Sequence, residues 1–491
     1  MKKMYLFSLL FISILSCKKD NDDPAPNTNN SSSDTLNLGI KDFIWKGLNS
    51  YYLWQSDVSN LADNRFASNV SETTLQTSSY VDFLNGYNSP DALFYGLLYK
   101  YEEIDRFSFI TEDYTELERS FQGISLSTGM DFVLSRYGQS DGVLGIVRYV
   151  IPGSSAEQQG VKRGDIFLSV DGTALNLTNY QQLLFNDKTS MTIDINYVER
   201  INGSLTIVSA NNTVTMTKTE ITENPILIKS VFERGNKKIA YLMYNSFVAN
   251  FDEALNEAFG EFKNQGVTDL VLDLRYNGGG RISSAIYLAS MITGQFTGQV
   301  FAKERYNSKL QPLFKEEQIT NYFVNKIYID QNTSLPLNSL NLSKVYILTT
   351  ERTASASELV INGLKPYIDV VQIGGVTTGK NQGSITLYDS PSGYDKNGIN
   401  PNHKWAMQPL VLKIENSAGV GDYTNGLTPN ISIEEDLANF GVLGNENEPF
   451  LSRAIQAITG TGKYLPQPAL MPMKPIVDSK SFNFAANEMY K

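Results

Sequence analysis

From Lys237 onward the hydrophobic period switches repeatedly between two and about 3.6 residues, and this alternation limits the fold more than any other feature. Residues 239–244 read as a strand, and Phe251, Ala254, Leu255, Ala258, Phe259 and Phe262 form one face of a helix. Residues 270–274 read as a buried strand that ends at Arg275-Tyr276-Asn277-Gly278-Gly279-Gly280, followed by a helix over 282–292. Further on come a strand at 345–349, a helix over 355–367 and a strand at 370–373. Glu448-Pro449 opens a last helix carrying Leu451, Ala454, Ile455 and Ile458. Repeated strand-helix-strand units predict an α/β layer with crossovers, whose functional groups gather where strand ends meet helix starts. Segments 273–280, 353–358 and 377–384 occupy such positions.

Composition removes several chemistries. The 491 residues include 41 Lys plus Arg against 52 Asp plus Glu, a net charge of −11, with one His and one Cys. At about 100–200 residues per domain the length allows two to four domains. An acidic balance spread along the chain offers no footprint for nucleic acid. With only His403 and Cys17, neither a His/Cys metal cluster nor a disulfide within the chain can be assembled. A Ser-His-Asp triad would have to use His403, whose setting, Pro401-Asn402-His403-Lys404-Trp405, reads as a loop. Hydrolytic chemistry here is therefore expected to run without imidazole.

At the N-terminus Lys2 and Lys3 precede an apolar run over 5–16, too short to cross a hydrocarbon core of about 30 Å. Residues 1–16 read as a signal peptide. Ile14-Leu15-Ser16-Cys17 resembles a bacterial lipobox, which implies lipid attachment at Cys17 and a membrane as partner. Residues 17–37 hold too little apolar surface to fold alone and are expected to be a flexible tether. The run Lys18-Lys19-Asp20-Asn21-Asp22-Asp23 resembles the export signal of some Bacteroidetes surface lipoproteins. The expectation is an outer-membrane lipoprotein of the cell envelope, facing the periplasm or the surface.

Residues 38–117 read as a small helical domain, with Phe43, Ile44, Gly47, Leu48, Tyr51 and Tyr52 at helical spacing and a second helix capped by Ser89-Pro90-Asp91. Residues 118–222 change to short β-rich runs. Within them Val150-Ile151-Pro152-Gly153 through Arg163-Gly164-Asp165 to Asp171-Gly172 resembles a PDZ domain. That resemblance implies that Gly123, Ile124, Ser125 and Leu126 receive the terminal carboxylate of a peptide, beside a strand that pairs with it.

In the α/β region, 223–462, the triple glycine lets backbone approach a substrate and aims N–H groups outward, without the Lys-Ser/Thr of a P-loop. Ser355 stands at a helix start, where N–H groups and the helix dipole stabilise an oxyanion. Thr353-Ala354-Ser355-Ala356-Ser357-Glu358, the Arg275-x-Asn277-x-Gly279-Gly280 turn and Thr378-Gly379-Lys380 together resemble the carboxyl-terminal processing peptidases, or tail-specific proteases, with Ser355 and Lys380 separated by 25 residues. The resemblance implies Ser355 as nucleophile, Lys380 as general base, Gly279 and Ala356 as oxyanion hole, and Glu358 in support of the dyad. A lysine base has to be desolvated, with no carboxylate close by, to be neutral at working pH.

Two positions depart from the family. Ser384 stands where the family has Gln, which leaves Ser384 or Gln382 to orient Lys380, and Gly278 stands where it has Pro. The implied fold is multidomain α+β: an N-terminal helical region, a PDZ β-domain and an α/β (ClpP/crotonase-like) peptidase domain, with a Pro-rich tail at 463–491 expected to be extended or poorly ordered. The implied function is a lipid-anchored serine endopeptidase that takes proteins or peptides with nonpolar C-terminal tails and needs no metal or organic cofactor. The alternatives are a proteolytically silent, PDZ-containing adaptor on the same fold, and an acyl-thioester enzyme of crotonase architecture, which leaves the PDZ domain unexplained.

Overall fold

The computed structural model describes residues 28–137, 141–202, 204–329, 332–460, 475–481 and 486–491. The expected signal peptide and Cys17 lie outside the described residues. The first described element is a helix of 24 residues, Thr28–Tyr51. It begins inside the expected tether, so residues 28–37 are helical. Ile40, Phe43, Ile44 and Leu48 are all buried further along the same helix, and once a turn is anchored each added residue brings its own hydrogen bond. A Cβ at Gly47 would lie 2.1 Å from Met407 Cε, so a larger residue there would displace the tip of the buried Met407 side chain. Pro90–Gly96 forms a helix with the expected start, Ser89 Oγ accepting from the Ala92 N–H at 3.3 Å.

The PDZ region is an antiparallel sheet built from Met130–Arg136, Val143–Val150, Ile166–Phe167 and Ser190–Ile201. The Asp171-Gly172 hairpin has both residues at positive φ, 50° and 74°, and joins Ser169–Val170 to Thr173–Ala174 as expected.

The α/β domain carries a six-stranded sheet ordered Ile226–Arg234, Lys237–Tyr244, Asp269–Asp273, Lys344–Thr349, Asp369–Gly374, Ile431–Ser432. The first pair is antiparallel and the rest are parallel. Period-two alternation sends Ala240, Leu242 and Tyr244 into a core shared with helices Asp252–Asn264, Ile282–Thr293 and Ala356–Leu364. Ile239, Tyr241 and Met243 face the opposite way, onto helix Pro449–Thr459. A second sheet is ordered Gly280–Arg281, Met489–Tyr490, Gln382–Ser384, Leu410–Asn416, Val300–Tyr306, Thr320–Tyr322.

Of the tail expected to be extended or poorly ordered, the described parts are extended and paired in sheets. Pro475–Asp478 adds a strand to the edge of the PDZ sheet beside Met130–Arg136. Met489–Tyr490 lies inside the second sheet, parallel to both neighbours, with Met489 fully buried. These are pairings with strands more than a hundred residues away, which no local period in a short Pro-rich stretch can signal.

Candidate active site

Strand Asp269–Asp273 runs into the glycine turn through Arg275, which is fully buried. Its Nε donates to both oxygens of Asp273 at 3.0 Å, while Nη1 and Nη2 donate to Glu448 at 2.6 and 3.0 Å. Asn277 then ties three elements together. Its Nδ2 donates to Tyr244 O at 2.7 Å, its Oδ1 accepts the Gly279 N–H at 2.8 Å, and its carbonyl accepts Ala354 N–H at 3.1 Å.

Strand Lys344–Thr349 delivers the second turn. Thr353 Oγ1 donates to Leu274 O at 2.9 Å, which moors this turn to the first. Ser355 follows at φ 65° and ψ −116°, a backbone geometry that a residue with a Cβ adopts only when its surroundings hold it there. Its side chain is fully buried, and its Oγ makes no hydrogen bond. Ala356 is the first residue of helix Ala356–Leu364, so its N–H has no acceptor within that helix.

Glu358, one turn into the helix, locks the Ser355 turn to the Lys380 loop. Its Oε2 accepts the backbone N–H groups of both Ser355 and Lys380, each at 2.8 Å. Its Oε1 accepts the Gly379 N–H at 2.7 Å and the Thr377 hydroxyl at 2.5 Å. Burial pushes its pKa up, and these four donors oppose the shift. The carboxylate touches neither Ser355 Oγ nor Lys380 Nζ, so it acts as a brace between the two loops. Glu358→Gln would turn one acceptor into a donor facing N–H groups. It is expected to cost about 1–3 kcal/mol, read as a lower denaturant midpoint at unchanged slope.

Lys380 is fully buried, as expected, but one condition set for it fails. Its Nζ donates to the Glu488 carboxylate at 2.8 Å, so a carboxylate does lie close by. Burial lowers the Lys380 pKa, and Glu488 draws it back up. Neither Ser384 nor Gln382 hydrogen-bonds the lysine directly, and Ser384 reaches it only through Glu488. Ser384 Oγ donates to the other Glu488 oxygen at 2.5 Å and accepts from Gln408 Nε2 at 3.0 Å, while Gln382 Oε1 is buried without a hydrogen bond. The helical region adds the Phe107 ring, whose centroid lies 4.7 Å from Lys380 Nζ, and Arg106, whose Nη2 donates to Gly379 O at 3.0 Å.

Of the expected oxyanion donors, the Gly279 N–H is already taken by Asn277. The neighbouring Gly280 N–H points outward instead and donates to Glu488 O at 2.6 Å. Gly278 has a local reason to lack a side chain, because a Cβ there would lie 1.7 Å from Ala486 O.

The Gly123–Leu126 segment stands apart from the PDZ sheet. Ile124–Ser127 pairs with Thr219–Thr222 in a two-stranded ribbon, and the Gly123 N–H donates to Ser120 O, so it is not free for a carboxylate. Gly123, Ile124 and Ser125 do line a cleft that Gly278 and Ala486 also line. His403 belongs to a loop, donating from Nε2 to Asp389 at 2.9 Å and accepting the Trp405 N–H on Nδ1 at 3.0 Å. Glu488, Phe107, Gln408 and Gly280 were not singled out from the sequence in these roles. Only Gly280 carried a local signal, as part of the triple glycine.

Three family models match the chain in order: the Peptidase S41 N-terminal domain at 39–109, a PDZ domain at 146–196 and peptidase family S41 at 238–430. The chain carries an S41 peptidase domain behind an S41 N-terminal domain and a PDZ domain. Its S41 domain, a serine-type peptidase domain, includes the Ser355 turn and the Lys380 loop, whereas Glu488 lies beyond the match. The chloroplastic C-terminal processing peptidase of Tetradesmus obliquus is 25% identical over 322 residues, covering 60% of this S41 chain and 63% of the algal protein. The chain thus spans less than two thirds of that relative. The carboxyl-terminal-processing protease of a Picosynechococcus strain is 24% identical over 372 residues, covering 73% and 79%. A crystal structure described as an S41 protease of Bacteroides fragilis superposes with a TM-score of 0.64 at 25% identity, covering 85% of this chain and 97% of the other.

Proposed function

We propose that this chain is a lipid-anchored serine endopeptidase of the cell envelope that cleaves proteins or peptides with nonpolar C-terminal tails, using Ser355 as nucleophile and Lys380 as base. The observation that carries this reading is the shared Glu358 oxygen, which holds the backbones of two fully buried residues, Ser355 and Lys380, against each other at the carboxyl ends of two strands. A substrate strand enters between Gly280–Arg281 and Gln382–Ser384 and is bound by main-chain hydrogen bonds. Neutral Lys380 Nζ takes the hydroxyl proton as Ser355 Oγ bonds to the carbonyl carbon. The carbonyl π pair moves onto oxygen, where the Gly280 and Ala356 N–H groups receive it. Collapse breaks the C–N bond, and the lysine ammonium returns its proton to the leaving amine. Water then attacks the acyl carbonyl as it gives a proton to Lys380, and collapse breaks the bond to Ser355 Oγ, which takes that proton back from the lysine as the acid leaves.

The resemblance at Ile14-Leu15-Ser16-Cys17 supports the lipid anchor, and mass spectrometry of the membrane-extracted protein tests it through a diacylglyceryl adduct on Cys17. Labelling with a serine-reactive acylating probe tests the nucleophile, since an adaptor yields no adduct that depends on Ser355.

The base also sets the pH profile. Only neutral Lys380 accepts a proton, and burial lowers its pKa, against the pull of Glu488, Asp105 and Glu358. Cleavage at low substrate is expected to rise with pH to a plateau, with a midpoint below the ordinary lysine value of about 10.4. A rate that falls as pH climbs through this limb would rule Lys380 out as base.

A further inference from the structure

Residues 486–491 fill the place where the proposed reaction needs its substrate. Met489 and Tyr490 form the second of the six strands of the second sheet, parallel to the edge strand Gly280–Arg281 on one side and to Ser384 on the other. Without them these two strands would face each other across a slot one strand wide, their main-chain groups unpaired. The Glu488 carbonyl receives the Gly280 N–H, and the same carbonyl would lie 2.7 Å from a Cβ on Gly279, which in turn would lie 2.9 Å from Ser355 Oγ. A backbone carbonyl of this chain therefore rests beside the nucleophile on an outward-pointing donor, as a scissile carbonyl would.

The side chains complete the occupation. Glu488 is fitted to both Lys380 and Ser384. Tyr490 stacks on Phe121 with centroids 4.0 Å apart, and Lys491 Nζ donates to Glu304 at 2.7 Å. Upstream, Ala486 lines the same cleft as Gly123, Ser125 and Gly278 of the glycine turn. Among the described residues Ser355 Oγ has no hydrogen-bond partner, while Lys380 Nζ is directed at Glu488.

We infer that segment 486–491 is a substrate mimic held in cis: it closes the substrate slot and engages Lys380 through Glu488, so that cleavage requires the segment to leave. The inference rests on the peptidase reading above. It also names what the slot accepts, an extended strand with an acidic side chain opposite Lys380, then a buried apolar residue and an aromatic one.

The test compares cleavage of fluorescein-labelled casein by the full chain, by Glu488→Gln in the full chain, and by a chain ending at Ser481, each with a Ser355→Ala control. The expected result is a Ser355-dependent rate raised about tenfold or more in Glu488→Gln, with the shortened chain at least as fast. Added peptide Ala-Asn-Glu-Met-Tyr-Lys then inhibits the shortened chain, and the same peptide with Gln in third place inhibits it less. If the shortened chain does not fold, Glu488→Gln decides alone, since it keeps every strand of the sheet. A Ser355-dependent rate that is unchanged or lower in Glu488→Gln overturns the inference while leaving the peptidase reading intact, and would make Glu488 a fixed partner of the base. Absence of Ser355-dependent cleavage from all these chains overturns both.

Discussion

Ser355→Ala is expected to lower kcat by about 10⁴–10⁶-fold, and Lys380→Ala by a similar factor. Ser355 Oγ lies fully buried at the start of a helix, with no hydrogen bond to activate it other than the one Lys380 must supply. Two groups that pass one proton between them act as a unit, so the double variant should be no slower than either single one. Thermal unfolding of Ser355→Ala should match the parent, because removing an unpartnered hydroxyl from a buried site orphans no donor or acceptor. Steady-state cleavage of an unstructured protein, with unfolding measured alongside, checks both statements. A Lys380→Ala enzyme that retains the parent rate would remove the lysine from the mechanism.

The largest loss of stability is expected at Arg275. Its guanidinium sits between Asp273 and Glu448, all three almost wholly buried, and stacks over the Phe450 ring at 4.4 Å. Arg275→Ala leaves two buried carboxylates without the cation they share, with only Arg163 still acting on Glu448, and is expected to cost about 3–5 kcal/mol. Arg275→Lys recovers only part of this, since an ammonium cannot make the paired donation to two carboxylates. Chemical denaturation measures the loss. Burial pushes the Glu448 pKa up, but Arg275 outweighs it and holds the carboxyl below its ordinary range. That part of the stability is therefore full above the unfolded value of about 4.3 and fades as pH falls through the lower folded value. Arg275→Ala should flatten this acid limb. Because Arg275 O also accepts the Thr350 hydroxyl beneath the Ser355 turn, activity should fall together with stability.

Most of the architecture was legible in residue order. The switch of period at Lys237 announces the α/β layer because alternation and helical spacing are local properties, and the same strands that read as apolar runs send alternate residues into two separate cores. The Ser355 turn, the Lys380 loop and the glycine turn were legible for the same reason: each is a short contiguous motif at a strand end. The backbone brace from Glu358 was partly legible, since it spans only 3 residues to Ser355 but 22 to Lys380. Two readings went astray although the deciding partner lies only two or three residues away. Gly123 looked free to bind a carboxylate, but its N–H is spent closing the helix before it. Gly279 looked like an oxyanion donor, but Asn277, two residues earlier, takes its N–H and leaves Gly280 to point outward.

The residue order by itself determined the principal helices and strands of the α/β layer, the succession of helical, PDZ and α/β regions, and the choice of Ser355 and Lys380 as candidates in a chain that has one histidine. These follow from hydrophobic spacing, turn chemistry and composition, which are carried by adjacent residues. Only the tertiary structure decided what Lys380 touches. Glu488 is 108 residues away, in a six-residue stretch with no period of its own, and it arrives by strand pairing with Gly280–Arg281 and Ser384. Such pairing is set by main-chain hydrogen bonds that any sequence can make, so its partners depend on where the rest of the fold leaves an open edge.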